Sequence, residues 1–281
     1  MIEGRRSRTA ERVAIRRAAH QILDRPLIFE DPLALKILSD EARERVHAEA
    51  EGENNNPWGR GLRIFLATRS RFAEEELARA AGHGVRQYVV LGAGLDTFAC
   101  RNPFAELRVF EVDHPETQAW KQKRLEDAGI AIPESLRFAP VDFERDTLEH
   151  GLEAVGFRPE EPAFFAWLGV VPYLTREAAL STLKFVAGLP PGSGVVFDYA
   201  IPREMLTEME RIAFDLLAER VARAGEPFRL FFRPDELEAE LRAMGFTEIE
   251  DQDGAAIRAR WLGGAAEESR PRRAGLLCAR V

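Results

Sequence analysis

Val89-Val90-Leu91-Gly92-Ala93-Gly94-Leu95-Asp96-Thr97 is the stretch on which the reading of the fold turns. Three β-favouring apolar residues run into a turn with glycines at alternate positions, the pattern of a buried strand ending in a tight loop. Gly92 and Gly94 let that loop tighten and bring its backbone close to a ligand. Alone the signal is weak, because Gly-x-Gly after a strand is also an ordinary turn.

Outward from this loop, strands and helices alternate. Downstream come the strand Leu107–Asp113, a helix over Pro115–Ala128, and the strand Leu136–Asp142. The wholly apolar Ala163–Val171 reads as a central strand buried on both faces. A helix over Arg176–Ala187, the strand Gly194–Ala200, a long amphipathic helix over Arg203–Ala224 and a helix over Pro234–Met244 follow, before two closing strands, Phe246–Glu250 and Leu276–Val281. Upstream, residues 8–50 read as helix broken at Pro26 and Pro32, Glu51–Pro57 as a polar loop, and Ile64–Ala81 as helix. The alternation predicts an α/β fold: a seven-stranded mixed sheet, helices on both faces, the last strand antiparallel, and an N-terminal helical cap. It is read as a single domain: a cap over 1–80, a ligand-binding core over 81–200, an inserted lid over 201–235, and a closing helix and strand pair over 236–281.

Composition narrows the function classes. The net charge of −8, from 47 acidic against 39 basic residues, is the opposite of a nucleic-acid binder's bias. No stretch approaches the roughly 18–20 apolar residues of a membrane span, and the start lacks the apolar region of a secretory signal. Cys100 and Cys278, far apart, suit neither a disulfide framework nor a zinc ribbon, so a reducing cytoplasm is expected. The five histidines are scattered without metal-ligand spacing, and no metal is expected. The sequence does not set the oligomeric state.

Ligands of such sheets bind outside the carboxyl ends of the strands. Asp113, twenty-one residues after Gly92, ends the second strand and can accept both ribose hydroxyls of an adenosine. Asp142 and Phe143 end the third, an acid for an exocyclic amine beside an aromatic for a base ring. Two nucleotide-type ligands compete. A dinucleotide wants a third small residue in the glycine loop, where Thr97 stands, and Asp96 would be an unwelcome charge beside a pyrophosphate. An acid is tolerable beside the cationic end of S-adenosylmethionine, so the loop favours the methyl donor over NAD(P).

The chain resembles the leucine carboxyl methyltransferase family, in its bacterial S-adenosylmethionine-dependent branch. The resemblance is carried by Arg69–Glu74, Val89–Thr97, Val109–Pro115, Pro140–Phe143, Trp167–Leu174 and Gly194–Tyr199, in the family order over about residues 8–200. It implies a class I methyltransferase (Rossmann-like) fold and an S-adenosyl-L-methionine cofactor. It implies that Arg69, with Arg71 nearby, holds the donor's carboxylate, and that Gly92, Ala93 and Gly94 wrap its methionine part. Asp113 would take the ribose, Asp142 and Phe143 the adenine, and Leu168 would line the turn after the fourth strand. Protein-methylating members carry a glutamate in that turn; Trp167–Val170 has no carboxylate.

No residue is marked as a catalytic base. His114, Tyr173 and Tyr199 are the candidates, the tyrosines because they follow the fourth and fifth strands. A carboxylate acceptor needs no base at neutral pH, whereas a hydroxyl does. The apolar insert, with Met205, Met209, Phe214, Phe228 and Phe231, suits a lid over a small molecule. The expected function is O-methylation of a small, largely apolar carboxylic acid in specialised metabolism. The alternatives are a hydroxyl O-methyltransferase, an NAD(P)-binding oxidoreductase, and a non-catalytic binding module.

Overall fold

The computed structural model describes residues 8–51, 57–142, 146–223, 225–262 and 274–281. The sheet is built from β1 (Gln87–Leu91), β2 (Arg108–Asp113), β3 (Leu136–Pro140), β4 (Ala163–Trp167), β5 (Gly194–Ala200), β6 (Glu248–Gln252) and β7 (Ala274–Arg280). Their order is β3-β2-β1-β4-β5-β7-β6. The first five pair in parallel, and β7 runs antiparallel between β5 and β6. The expected mixed sheet with an antiparallel last strand is therefore present. The strand order reverses beside β1, which places the switch point between β1 and β4, at the glycine loop.

Alternation along β1 shows why both faces are covered. Val89 and Leu91 enter one core with Phe110, Phe165, Trp167 and Phe197. Tyr88 and Val90 enter the other with Val109, Phe164 and Val196. The first core is closed by α6 (Arg176–Ala187) and α8 (Pro234–Met244) through Leu183, Leu237 and Leu241. The second is closed by α3 (Pro57–Gly82), through Phe72 and Leu77. At the N-terminal end, α1 (Arg8–Leu23), α2 (Asp40–Glu51) and the segment joining them bury Ala18, Val46 and Ile37, respectively, against Leu95 and Leu125.

Local sequence sets the helix ends. Thr175 caps α6 by accepting from the Ala178 N–H. On the sheet's second strand-to-helix turn, His114 caps α4 (Pro115–Asp127), with proline at its first position. The insert departs from the expected unbroken helix over 203–224. A short 3₁₀ turn at Arg203–Met205 precedes α7 (Glu208–Arg223). Thr207 and Glu210 interlock at the break: the Thr207 N–H and hydroxyl both donate to Glu210 Oε2, at 3.0 and 2.8 Å. The Glu210 side chain reaching back to the Thr207 N–H is the acidic half of a capping box, and it starts a new helix. Two short helices were not expected, α5 (Leu148–Glu153) and α9 (Gly254–Trp261). Each has a readable cap, since Thr147 Oγ1 accepts from the His150 N–H and Asp253 Oδ1 from the Ala256 N–H. The expected loop over 51–57 lies largely outside the described residues. No helix of the described residues is long and apolar enough to cross a membrane.

Candidate active site

The carboxyl ends of the strands carry a row of functional groups in the order Asp142, Asp113, the Gly92–Gly94 loop, Leu168–Val170 and Asp198, from β3 across to β5. Adjacent strands are about 4.8 Å apart, so the row spans roughly 19 Å.

Asp113 is the hinge of the row. Its Oδ2 accepts from the Gly94 N–H and its Oδ1 from the His114 N–H, both at 2.7 Å. The carboxylate thus ties the glycine loop to the end of β2. Burial pushes its pKa up, and the two backbone N–H groups partly offset this. The Gly92 and Ala93 N–H groups both donate to Val112 O, at 2.8 and 3.2 Å, which closes the turn. Gly94 has φ +49°, and an added Cβ would stand 3.0 Å from Ala10 Cβ of α1. The first cap helix therefore lies directly on the loop.

Arg17 of α1 fixes the rest of the turn. Its Nη2 donates to Leu95 O at 2.5 Å, its Nε stands 2.9 Å from Asp31 Oδ2, and Nη1 lies 3.6 Å from Asp96 Oδ2. Burial opposes the charge of Asp96, yet Arg17, Lys121 and Arg101 hold its carboxyl below the usual range. Asp96 Oδ1 also accepts from the Phe98 N–H. The acid that looked notable in the sequence is thus engaged by the cap and the turn. Beneath Asp113, Glu111 and Lys121 form an ion pair at 2.5 Å, each 1% exposed.

Arg69 and Arg71 part company. Two residues apart on a helix are about 200° apart, so they cannot share a site. Arg69 is buried and its Nη1 donates to Asp198 Oδ2 at 3.1 Å, beside the turn after β4. The structure corrects the placing of Arg71 beside it. Arg71 bonds Glu75 Oε1 at 2.7 Å and Ile28 O at 3.0 Å, and lines a surface groove with Phe29, Glu74 and Phe104.

The other expected residues are scattered around the row. Asp142 follows β3, half-buried, with its carbonyl accepting from the Asp146 N–H at 2.7 Å. Phe143 lies outside the described residues. Leu168 is half-buried against the α3 face of the core. The Nδ1 of His114 accepts from the Glu116 N–H as a helix cap. Tyr173 packs against Phe228 of the 201–235 segment, the rings 5.3 Å apart and tilted by 38°, and burial pushes its hydroxyl up to about 12. Tyr199 is a correction: it was expected near the mouth, but it is 1% exposed and its hydroxyl donates to Asp251 Oδ2 at 2.6 Å. Strand alternation is the reason, since Tyr199 shares the inner face with Phe197 while Asp198 points to the other.

Asp198 is the buried acid at the strand ends that the sequence reading missed. A lone acid in an otherwise apolar strand, Gly194–Ala200, was the available signal.

The sequence profile of leucine carboxyl methyltransferases matches residues 10–187. YktD of Bacillus subtilis strain 168, named as an S-adenosyl-L-methionine-dependent methyltransferase, is 34% identical over 83% of each chain. A protein of Parafrankia sp. strain EAN1pec, named likewise, is 40% identical over 64% of this chain and 56% of its own. Among solved structures, a methyltransferase-titled protein from Thermobifida fusca superposes with a TM-score of 0.53 at 16% identity, covering 86% of this chain and 88% of that one. A DUF574 family protein from Streptomyces avermitilis gives 0.54 at 17%, covering 96% of each. These likenesses establish the fold. The fold is that of the class I methyltransferases, and the chain belongs to the leucine carboxyl methyltransferase family.

Proposed function

We propose that this S-adenosylmethionine-dependent methyltransferase transfers its methyl group to a carboxylate oxygen of a small, largely apolar acid of specialised metabolism. The observation that carries the reading is the engagement of every candidate base. Tyr173 is a phenol at neutral pH like any tyrosine, and burial raises it further. Tyr199 is sealed in the core, and His114 accepts a backbone N–H to cap α4. A hydroxyl acceptor would need a base in reach, and a carboxylate needs none.

S-adenosylmethionine, rather than a dinucleotide, is the cofactor, and the residues present fit it. The half-buried Asp113 carboxylate at the end of β2 suits a ribose diol, because an ionised carboxylate only accepts and the two hydroxyls donate. Arg69, beside the β4 turn, suits the α-carboxylate, and Asp142 suits the adenine amine. When bound, the cofactor supplies an electrophilic methyl on a sulfonium. The chain's own part is to hold the ends of the row fixed, so that an acceptor meets the methyl in line. Such near-attack positioning is worth about 7–11 kcal/mol. Helix α1, seated on Gly94, holds the loop from the other side.

The acceptor side is aromatic. Tyr173, Phe214, Phe228 and Phe231 form one half-buried cluster, with Phe214 and Phe228 stacked at 5.7 Å. The insert is docked on the β4 side by the Arg229 and Leu230 N–H groups, which donate to Pro172 O at 2.7 and 3.2 Å. An apolar acid matches that wall better than a peptide C-terminus does, and the β4 turn lacks the carboxylate of the protein-methylating members.

The chemistry is tested by incubating methyl-labelled donor with cell extract and enzyme, then treating the product with mild alkali. A methyl ester releases its label as volatile methanol. Label that stays non-volatile rejects the ester and selects a hydroxyl acceptor. A second expectation concerns pH. Because burial raises Asp113, acidification protonates it earlier than an ordinary aspartate, and its ability to accept from the ribose is lost. S-adenosylhomocysteine affinity should fall as pH drops from 8 towards 5, and Asp113→Ala should flatten that profile. An equal slope in the variant would clear Asp113 of the role.

A further inference from the structure

We infer that Asp198 is a positioning residue of the donor site: it fixes Arg69 and Gly169 in one arrangement, so that the guanidinium meets the donor's amino-acid end. The inference rests on reading Arg69 as the group for the donor's carboxylate.

Every residue of β5 is buried, and Asp198 is its sole charged side chain. A carboxylate there is costly unless both oxygens are answered. Both are. Oδ2 accepts from Arg69 Nη1 at 3.1 Å, and Oδ1 accepts from the Gly169 N–H at 2.5 Å. One side chain thus joins α3, β5 and the turn after β4.

Gly169 completes the arrangement. Its φ is +72°, a conformation that residues with a Cβ rarely adopt. An added Cβ would stand 2.7 Å from Arg69 Nη1, 2.8 Å from Nη2 and 3.1 Å from Cζ. The guanidinium therefore occupies the space that the absent side chain leaves. An arginine, an acid and a glycine from three distant parts of the sequence specify a single position for one cation.

The pair also has the right charge. A guanidinium carries five N–H donors in a fixed fork. Among the described residues Arg69 is bonded to Asp198 alone, through Nη1, so further donors are available for a second carboxylate. An α-amino acid end is itself a cation and an anion side by side. A buried arginine–aspartate pair presents the matching charges, with Asp198 supplying the acid that the β4 turn lacks.

The test compares two ligands. S-adenosylhomocysteine carries the amino-acid end, whereas 5′-methylthioadenosine shares the nucleoside and the thioether but lacks it. Asp198→Asn keeps the shape and can still accept from Gly169 but cannot hold the ion pair. Calorimetry should show at least a tenfold loss for S-adenosylhomocysteine and less than a twofold change for methylthioadenosine. Gly169→Ala, which displaces the guanidinium while leaving the Asp198 side chain itself unchanged, should give the same selective loss. Equal losses for both ligands, or none for either, overturn the proposal. So does a failure of both variants to fold, which would leave Asp198 a folding role alone. If the wild type itself binds no S-adenosylhomocysteine, the donor reading falls first, and the two failures are told apart.

Discussion

Arg69→Ala should weaken S-adenosylhomocysteine binding by about 2 kcal/mol, roughly 30-fold, the ordinary worth of a charge-assisted contact. Arg71→Ala should change it by less than about threefold, an effect of the size expected from a surface substitution. The contrast follows from placement. Arg69 is 7% exposed beside the turn after β4, while Arg71 spends its donors on Glu75 and Ile28 O away from the strand ends. Removing Arg69 also leaves Asp198 without its cation, so the titration belongs well below the variant's melting temperature. Calorimetry on both variants decides the matter. A larger loss with Arg71→Ala would mean that the donor's carboxylate lies on the groove side of α3.

Lys121→Met should be strongly destabilising. Lys121 and Glu111 face each other at 2.5 Å, each 1% exposed. Breaking a buried pair from one side costs about 3–5 kcal/mol, because the remaining charge is stranded. At about 2–4 °C per kcal/mol, the melting temperature should fall by roughly 10 °C. The loss should depend on pH in a definite sense. Burial already raises the Glu111 pKa against the pull of Lys121, and without the lysine it rises further. The folded state then keeps a proton that the unfolded state releases above the ordinary glutamate value. Stability of the variant therefore falls as pH rises from that value towards the folded one, and the deficit is smallest in acid. Lys121→Met/Glu111→Leu should recover most of the loss, since an apolar pair can replace a buried ion pair at little cost. Melting curves of the single and double variants check both points. A single-variant loss below about 1 kcal/mol would show that the pair carries no such weight.

Much of this was readable before any coordinates. The strand Ala163–Trp167 is apolar on both faces, so its central place followed from hydropathy alone. The placement of Asp113 at the end of β2, against the glycine loop, was legible because it depends on one acid at the end of one strand. What the sequence hid depends on distant partners. Asp96 drew attention as a charge in the glycine loop, but its partner Arg17 lies on a helix nearly eighty residues earlier. Asp198 drew none, because its meaning rests on Arg69 and Gly169, which only the folded sheet brings together. Tyr199 was placed near the mouth by proximity to a strand end, where the alternation with Asp198 assigns it to the opposite face. The helices over Leu148–Glu153 and Gly254–Trp261 were missed because six and eight residues give too little periodicity to read.

The place of β7 between β5 and β6 bears on how the protein is made. Residues are synthesised in the order β5, β6, β7, but β6 reaches the sheet only through β7. Until Ala274–Arg280 has emerged from the ribosome, the outer edge of β5 offers seven residues of unpaired backbone, and β6 has nothing to pair with. Assembly thus runs against the order of synthesis over this last stretch. An open edge of that length is a template for foreign strands. The nascent chain is therefore exposed to aggregation until β7 arrives, when the part of the sheet bearing Asp142, Asp113 and the glycine loop can already be in place.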